Sequence, residues 1–317
     1  MGAFLVRRLV GLVLVIAAVS FVSYALIGLM PGDPIDVMVS SNPDLTPADA
    51  ERLRQRYGLD RPLLTRYLRW AGDVLAGDFG FSRTYRVPVW DILLPRLGNT
   101  MVLLGASFLL SLAIAIPAGV LVATRPGGPV DYGVNLLCFA GVSTPSFWLG
   151  LLLMYAFSVN LQWLPPNGGG SVARDGFFGW LSYQVLPVTA LTVASLAVYI
   201  RHVRAAMGEA LAQDFVRTAR AKGASRRRVV YHHALRNAMI PVVTVIALDF
   251  GTLFSGALVV EQVFSYPGMG VTIYDAIIGN DYNLALAALL LATFAILLAN
   301  LLADLAYAWL DPRVRLH

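Results

Sequence analysis

Six apolar runs, at about 9–30, 99–123, 133–159, 185–204, 239–260 and 284–310, narrow the folds open to this chain more than any other feature. Each is near the roughly 20 residues that a helix needs to cross the apolar core of a bilayer. Composition agrees. The chain is 57% hydrophobic and 14% charged, with mean hydropathy +0.67, well outside the usual range of a soluble domain. The expectation is an all-α integral membrane protein with six transmembrane helices in one transmembrane domain, 1–317.

The first run follows Arg7 and Arg8. A cleaved signal peptide has an apolar core of about 7–15 residues and a small-residue cleavage site. This run is about 22 residues long and ends in Pro31-Gly32-Asp33-Pro34, so a retained helix that starts in the cytoplasm is expected. Residues 31–96 then form a polar insertion. Pro47 to Tyr57 and Pro62 to Leu75 read as amphipathic helices, with Leu53 and Tyr57, then Leu63, Tyr67 and Trp70, on their apolar sides. Nine arginines there are balanced by nine acids. An insertion of more than about 60 residues is not held in the cytoplasm by its arginines, so a mainly helical extracytoplasmic insertion is expected.

Asn99 and Thr100 are placed to cap the second crossing. Arg125-Pro126-Gly127-Gly128-Pro129 reads as a tight connection, and 160–184 as a longer turn-rich loop. With the start inside, six crossings put both termini and the 205–240 segment in the cytoplasm. The basic residues follow that scheme. Arg7, Arg8, Arg125, nine Lys/Arg from Arg201 to Arg236, Arg313 and Arg315 fall inside, whereas the short outer loops carry only Arg174.

The stretch Asp214–Pro241, DFVRTARAKGASRRRVVYHHALRNAMIP, stands apart because it is basic and polar between two apolar runs. Asp214 to Lys222 is rich in helix formers. Gly223 breaks the pattern, and Ser225 can cap a second helix reaching about Asn237. Pro241 suits the first turn of the next apolar helix.

Several function classes are excluded or disfavoured. Basic residues do not alternate with aromatics as a nucleic-acid face requires. The single Cys138 forms no intrachain disulfide and no thiolate cluster. His232 and His233 are adjacent and point about 100° apart on a helix, with no third ligand in register, so no metal site is expected. No HExxH, paired intramembrane aspartate or oriented Ser/His pair suggests an intramembrane enzyme. Two matching broken helices, the mark of an ion-coupled secondary transporter with inverted repeats, are not evident. There is no Gly-x-x-x-x-Gly-Lys-Ser/Thr loop, and Lys222, the one lysine, has no such context.

RTARAKGAS followed by VVYHHALRN resembles the EAA loop of binding-protein-dependent ABC importer permeases, in the oligopeptide and dipeptide subgroup. Ala219 matches the second alanine of that pattern, Gly223 its glycine, Leu235 its leucine and His233 its isoleucine. Arg217 replaces the glutamate and Arg236 the proline, which resembles the B-type half of a heterodimeric peptide permease. GDFGFS, PVWDILLPRLGNT, TPSFWLGLLL, VVEQVFSYPGMG and DPRVR extend the resemblance over nearly the whole chain. It implies the type I importer permease fold in a bacterial inner membrane, with lipid around it. The implied partners are a second, C-type permease subunit, two ATPase subunits that hold ATP and Mg, and an extracytoplasmic binding protein. This chain then binds no cofactor or metal and is no enzyme. The implied cargo is di- and oligopeptides, with nickel chelates, glutathione and other small solutes carried by relatives.

The resemblance makes Phe215, Arg217, Ala219, Arg220, Lys222, Gly223, Ser225, Val229, His233, Leu235 and Arg236 the candidates for ATPase coupling. Elsewhere, Asp249 lies mid-helix, where an acid needs a water-filled path or a partner. It either meets a substrate or gate or makes a structural pair. Ser143, Thr144 and Pro145 mark a bend on a pathway or in ordinary helix packing. Glu261, Tyr266, Pro267, Gly268 and Gly270 lie just outside the 239–260 helix, where Pro-Gly-x-Gly fits a compact turn, and are either an extracellular gate or binding-protein contact or a simple loop. Asp304 reads as a partner for inner arginines.

Overall fold

Long helices carry the fold of this computed structural model, which describes residues 2–29 and 61–310. The Pro31–Pro34 turn, the 47–57 helix and the C-terminal DPRVR lie outside the described residues, as do the side chains of Asp249 and Asp304. In order, the elements are α1 (Gly2–Gly28), α2 (Leu63–Leu75), α3 (Val89–Ala123), α4 (Pro129–Ser143), α5 (Ser146–Met154), α6 (Val172–Ala212), α7 (Asp214–Ala221), α8 (Arg226–Arg228), α9 (Leu235–Val263), α10 (Met269–Ile278) and α11 (Tyr282–Leu310). Wider π-helical turns at Tyr155–Asn160 and Val229–Ala234 extend α5 and join α8 to α9. No strand occurs among the described residues, only an isolated bridge between Phe81 and Pro88.

Among the described residues, four helices are long and apolar enough to cross a membrane: Val6–Gly28, Val89–Ala123, Val172–Ala212 and Tyr282–Leu302. A fifth crossing exists if α4 and the α5 extension, bent by 100° at residues 144–145, count as one. The run expected at 239–260 lies within α9, which spans 29 residues.

Two compact units make up the chain. In the first, Met1–Leu97 with Thr272–Ala295, α2 lies on α1. Tyr67 hydroxyl and Ser20 Oγ are 2.8 Å apart, and the Tyr67 ring meets Phe21 edge-on at 5.2 Å. Leu63, Tyr67 and Trp70 are the half-buried side of α2, as its periodicity predicts, and Leu64 and Leu68 are exposed. The GDFGFSRTY segment closes a tight loop, with Ser82 N–H donating to the Val87 carbonyl at 2.9 Å and Val89 N–H to that of Gly80 at 3.0 Å. Asp281 is buried and accepts from Ser82 Oγ at 2.5 Å and Thr84 N at 2.9 Å.

The second unit is Gly98–Val271 with Ile296–His317. Its α3 and α6 approach closely because small residues face each other. A Cβ on Gly119 would meet the Val203 side chain and, at 3.2 Å, the Ile200 carbonyl. Ser107, Ser111 and Thr192 are buried in the same seam, their hydroxyls turned onto helix carbonyls. Small and hydroxylated residues of this kind let apolar helices pack in lipid without leaving polar atoms stranded.

Three sequence expectations change here. Asn99 and Thr100 do not cap a helix, because α3 begins at Val89 and they lie inside it. Pro241 is interior to α9 and not in its first turn. The loop expected to reach residue 184 gives way at Val172 to α6, which kinks at Gly176, where φ is +69°.

Candidate functional site

The Asp214–Ala234 segment folds as two short helical pieces around Gly223, whose φ of +79° is the left-handed value that glycine adopts without strain. The Ser225 side chain accepts from Arg228 N and caps the second piece, as its position predicts. That piece does not stop near Asn237. It widens through Val229–Ala234 and runs directly into α9. A stiff connection therefore leads from the basic segment into a helix that reaches the far end of the unit.

The two faces of the segment differ sharply. Val216, Ala219, Val229, Val230 and Ala234 are buried in one apolar cluster with Tyr199, Val203 and Met207 of α6. Ala219 and Val229, two of the expected coupling anchors, thus face into the chain itself. Arg217, Arg220, Lys222, Gly223, Ser225 and Arg236 are exposed, Phe215 is 39% exposed, and His233 and Leu235 are half-buried. Tyr231 is exposed beside them and was not singled out from the sequence. The buried face seats the segment, and the exposed face presents cations around Phe215 and Tyr231. A groove of about 600 Å³ lies between the segment and the end of α3, lined by Arg220, Arg226, Val229 and Val230 on one side and Ala123 and Thr124 on the other.

The rings of His232 and His233 meet edge-on at 5.2 Å. No group of three or more potential ligands is assembled among the described residues. Ser143, Thr144 and Pro145 do more than bend a helix. Thr144 (ψ 118°) and Pro145 (ψ 137°) are extended, so α4 ends and α5 restarts. The residue before a proline is steered out of the helical region, which explains why the break falls at Thr144. Asp249 belongs to α9 by its backbone.

At the other end of α9, the expected outer turn is a buried polar knot. Glu261 and Thr100 are fully buried. Thr100 Oγ1 donates to Glu261 Oε1 at 2.6 Å and accepts from Met269 N at 2.8 Å. Gly270 N–H donates to Glu261 Oε2 at 2.6 Å. Asn99 Nδ2 donates to the Pro267 carbonyl at 2.8 Å. The Tyr266 hydroxyl reaches Gln184 Oε1 at 3.0 Å, with the Asn99 carbonyl 3.1 Å away. Burial, then the charge of Glu261, hold the Tyr266 phenol well above its ordinary pKa. Tyr266, Gly268 and Gly270 are buried and Pro267 is half-buried, so these residues tie α3, α6 and the turn together. Thr100, Asn99 and Gln184 are partners the sequence did not reveal.

A second missed group is Asp131, whose Oδ2 accepts from Arg204 Nη2 at 2.8 Å and from Gly127 N at 3.0 Å. Asn135 Nδ2 donates to its Oδ1 at 2.6 Å.

Membrane-length apolar helices joined to a seated, cation-bearing segment define a helical integral membrane protein. Residues 115–316 match the family described as binding-protein-dependent transport system inner membrane component, and residues 1–104 match the N-terminal region of such components. The chain belongs to that family of inner-membrane transport components. It is 37% identical over 316 residues to the oligopeptide transport system permease protein AppB of Bacillus subtilis (strain 168), covering 99% of both chains. It is 39% identical over 334 residues to the di/tripeptide transport system permease protein DppB of Pseudomonas aeruginosa (strain UCBPP-PA14), again 99% of both. Among solved structures, a chain of the MetNI methionine ABC transporter, crystallised in inward-facing conformations, is similar with a TM-score of 0.55 and 20% identity, over 69% of this chain and 96% of that one. That likeness extends to the fold, the type I importer permease fold expected from the sequence.

Proposed function

We propose that this chain is one of two permease subunits of an ATP-driven importer of di- and oligopeptides. The observation that carries the reading is near-complete alignment, at 36–39% identity, with permeases named for oligopeptide, di/tripeptide and dipeptide transport. The exposed side of the 214–236 segment supports it. Phe215, Arg217, Arg220, Lys222, Ser225 and Arg236 present a mixed aromatic and cationic face to an ATPase subunit, while Ala219 and Val229 hold the segment in register from beneath. ATP and Mg belong to that partner, and this chain hydrolyses nothing.

In this reading the second permease completes the path. The break at Ser143–Pro145 and the acid at Asp249 contribute to its lining, and both termini lie on the ATPase side. The knot around Glu261 sets the shape of the outer end, where a binding protein delivers the peptide. The test is reconstitution of the chain with its partner permease, ATPase subunits and binding protein in proteoliposomes, followed by uptake of a labelled dipeptide. Accumulation that requires ATP and the binding protein is expected. Uptake by this chain alone, driven by an ion gradient, overturns the proposal.

A further inference from the structure

The 214–234 segment has two covalent routes into the bundle, back through α6 and forward through α9. Neither leads to α3 or α4. Yet α3 carries Thr100 of the outer knot, and α4 ends at the Thr144–Pro145 break. Motion of the segment has to enter those helices through contacts.

Beside the α3–α6 seam and the Thr100–Glu261 bond, residues 124–131, the turn between α3 and α4 with the first turn of α4, supply such contacts at the other end. Arg204 lies on α6 eight residues before its last residue, Ala212, and its Nη2 reaches Asp131 Oδ2 at 2.8 Å. From the other flank of the segment, Arg226 Nη2 donates to the Thr124 carbonyl at 3.3 Å. Thr124 directly follows α3, so its carbonyl belongs to the negative end of that helix, where a cation is favoured. Asp131 sits in the first turn of α4, where an acid is favoured. It is held on three sides, by Arg204, by Gly127 N–H and by Asn135. Its side chain is 6% exposed and that of Arg204 is 40% exposed. The acid is thus fixed to the turn, and the guanidinium comes from α6, the helix that leads directly into the segment. Arg125, Pro126 and Gly127 of the turn are exposed.

We propose that this turn is a second coupling point, resting on the importer reading above. Asp131 and Arg204 are positioning residues. They carry displacement of the 214–234 segment sideways into α3 and α4, in parallel with the direct route along α9. A pair that only stabilised the fold would change how much complex assembles, not how efficiently each complex works.

The test measures ATP hydrolysed per dipeptide imported by the reconstituted complex. Asp131→Asn keeps an oxygen for Gly127 and loses the ionic partner of Arg204. Its complex should still bind ATPase subunits and hydrolyse ATP. The ratio of ATP to imported dipeptide should rise about fivefold or more, the low end of typical coupling between sites. Arg204→Lys keeps the charge without the planar fork and should fall between wild type and Asp131→Asn. An unchanged ratio in both variants, whatever the amount of complex recovered, overturns the inference. Should Asp131→Asn fail to assemble, an unchanged ratio in Arg204→Lys has the same force. A wild-type complex with no ATP-driven uptake overturns the importer reading and this inference together, so the two failures are distinct.

Discussion

Thr100 Oγ1 and Glu261 Oε1 meet at 2.6 Å across 161 residues of sequence, both fully buried. The hydroxyl has two jobs, since it also accepts from Met269 N. Thr100→Val keeps the shape and removes both bonds. Met269 N–H and a Glu261 oxygen each lose a bond at about 1–3 kcal/mol, so a loss of roughly 2–6 kcal/mol is expected. Thr100→Ser, which keeps the hydroxyl, should recover most of it. Thermal unfolding in detergent is the measurement, and a Thr100→Val midpoint equal to wild type would remove the knot from any account of stability.

The same knot sets the demand for glycine nearby. A Cβ on Gly268 would strike the Glu261 carboxylate, and one on Gly270 would sit 2.7 Å from Leu258 Cα. A backbone neighbour cannot swing aside as a side-chain tip can. Gly270→Ala should therefore destabilise the chain by about 3 kcal/mol, the upper range for overpacking. Gly223→Ala has nothing within 4 Å of its new methyl group and pays only for its φ of +79°, roughly 1–2 kcal/mol. Equal losses at the two positions would contradict this division between crowding and backbone strain.

On the basic segment, burial separates seating from docking. Phe215→Ala should leave the unfolding midpoint within about 0.5 kcal/mol of wild type, as for a surface change. It should weaken co-purification with the ATPase subunits about tenfold, since one aromatic anchor commonly carries that much of an interface. Ala219→Phe forces a ring into the cluster that holds Val216 and Met207. It should cost about 1–3 kcal/mol in the chain itself, with ATPase binding lost in step with the fold. If Phe215→Ala lowers the midpoint and leaves ATPase binding intact, the two faces have been assigned the wrong way round.

Much of this was legible in the sequence because apolar runs, Gly223 and Ser225 act locally. The Ser225 cap and the left-handed glycine follow from residue type and position alone. The Thr144–Pro145 break was legible as a bend, since proline constrains its predecessor, but its 100° angle depends on packing. What was hidden is long-range. Glu261 read as a residue just outside a helix, whereas α9 runs on to Val263 and includes it, and only the return of residues 99–100 shows that it is buried. Asn99 and Thr100 looked like caps because they open the apolar run, whereas α3 starts at Val89, before that run. Asp131 was one acid in a short connection and Arg204 one of many arginines. Nothing local ties partners 73 residues apart.

Tyr266 gives a pH signature for the knot. Its hydroxyl is bonded to Gln184 in a buried setting beside Glu261, and burial first, then that charge, oppose its ionisation. The folded pKa is raised, so the native state keeps the proton that an unfolded tyrosine releases near pH ~10. Stability from this group is therefore fully present below about pH 10 and is lost as pH rises beyond it, at up to about 1.4 kcal/mol per unit. Tyr266→Phe lacks the bond and the titration. At pH 7 it should be less stable than wild type by about 1 kcal/mol, one hydrogen bond. Above pH ~10 the wild type should lose its advantage, because only its unfolded state gains by ionising this residue. The remaining tyrosines cancel in the comparison. Denaturation of both proteins from about pH 8 to 11.5 measures the difference directly, and a gap that stays constant across that range would show that Tyr266 is not shielded as the knot requires.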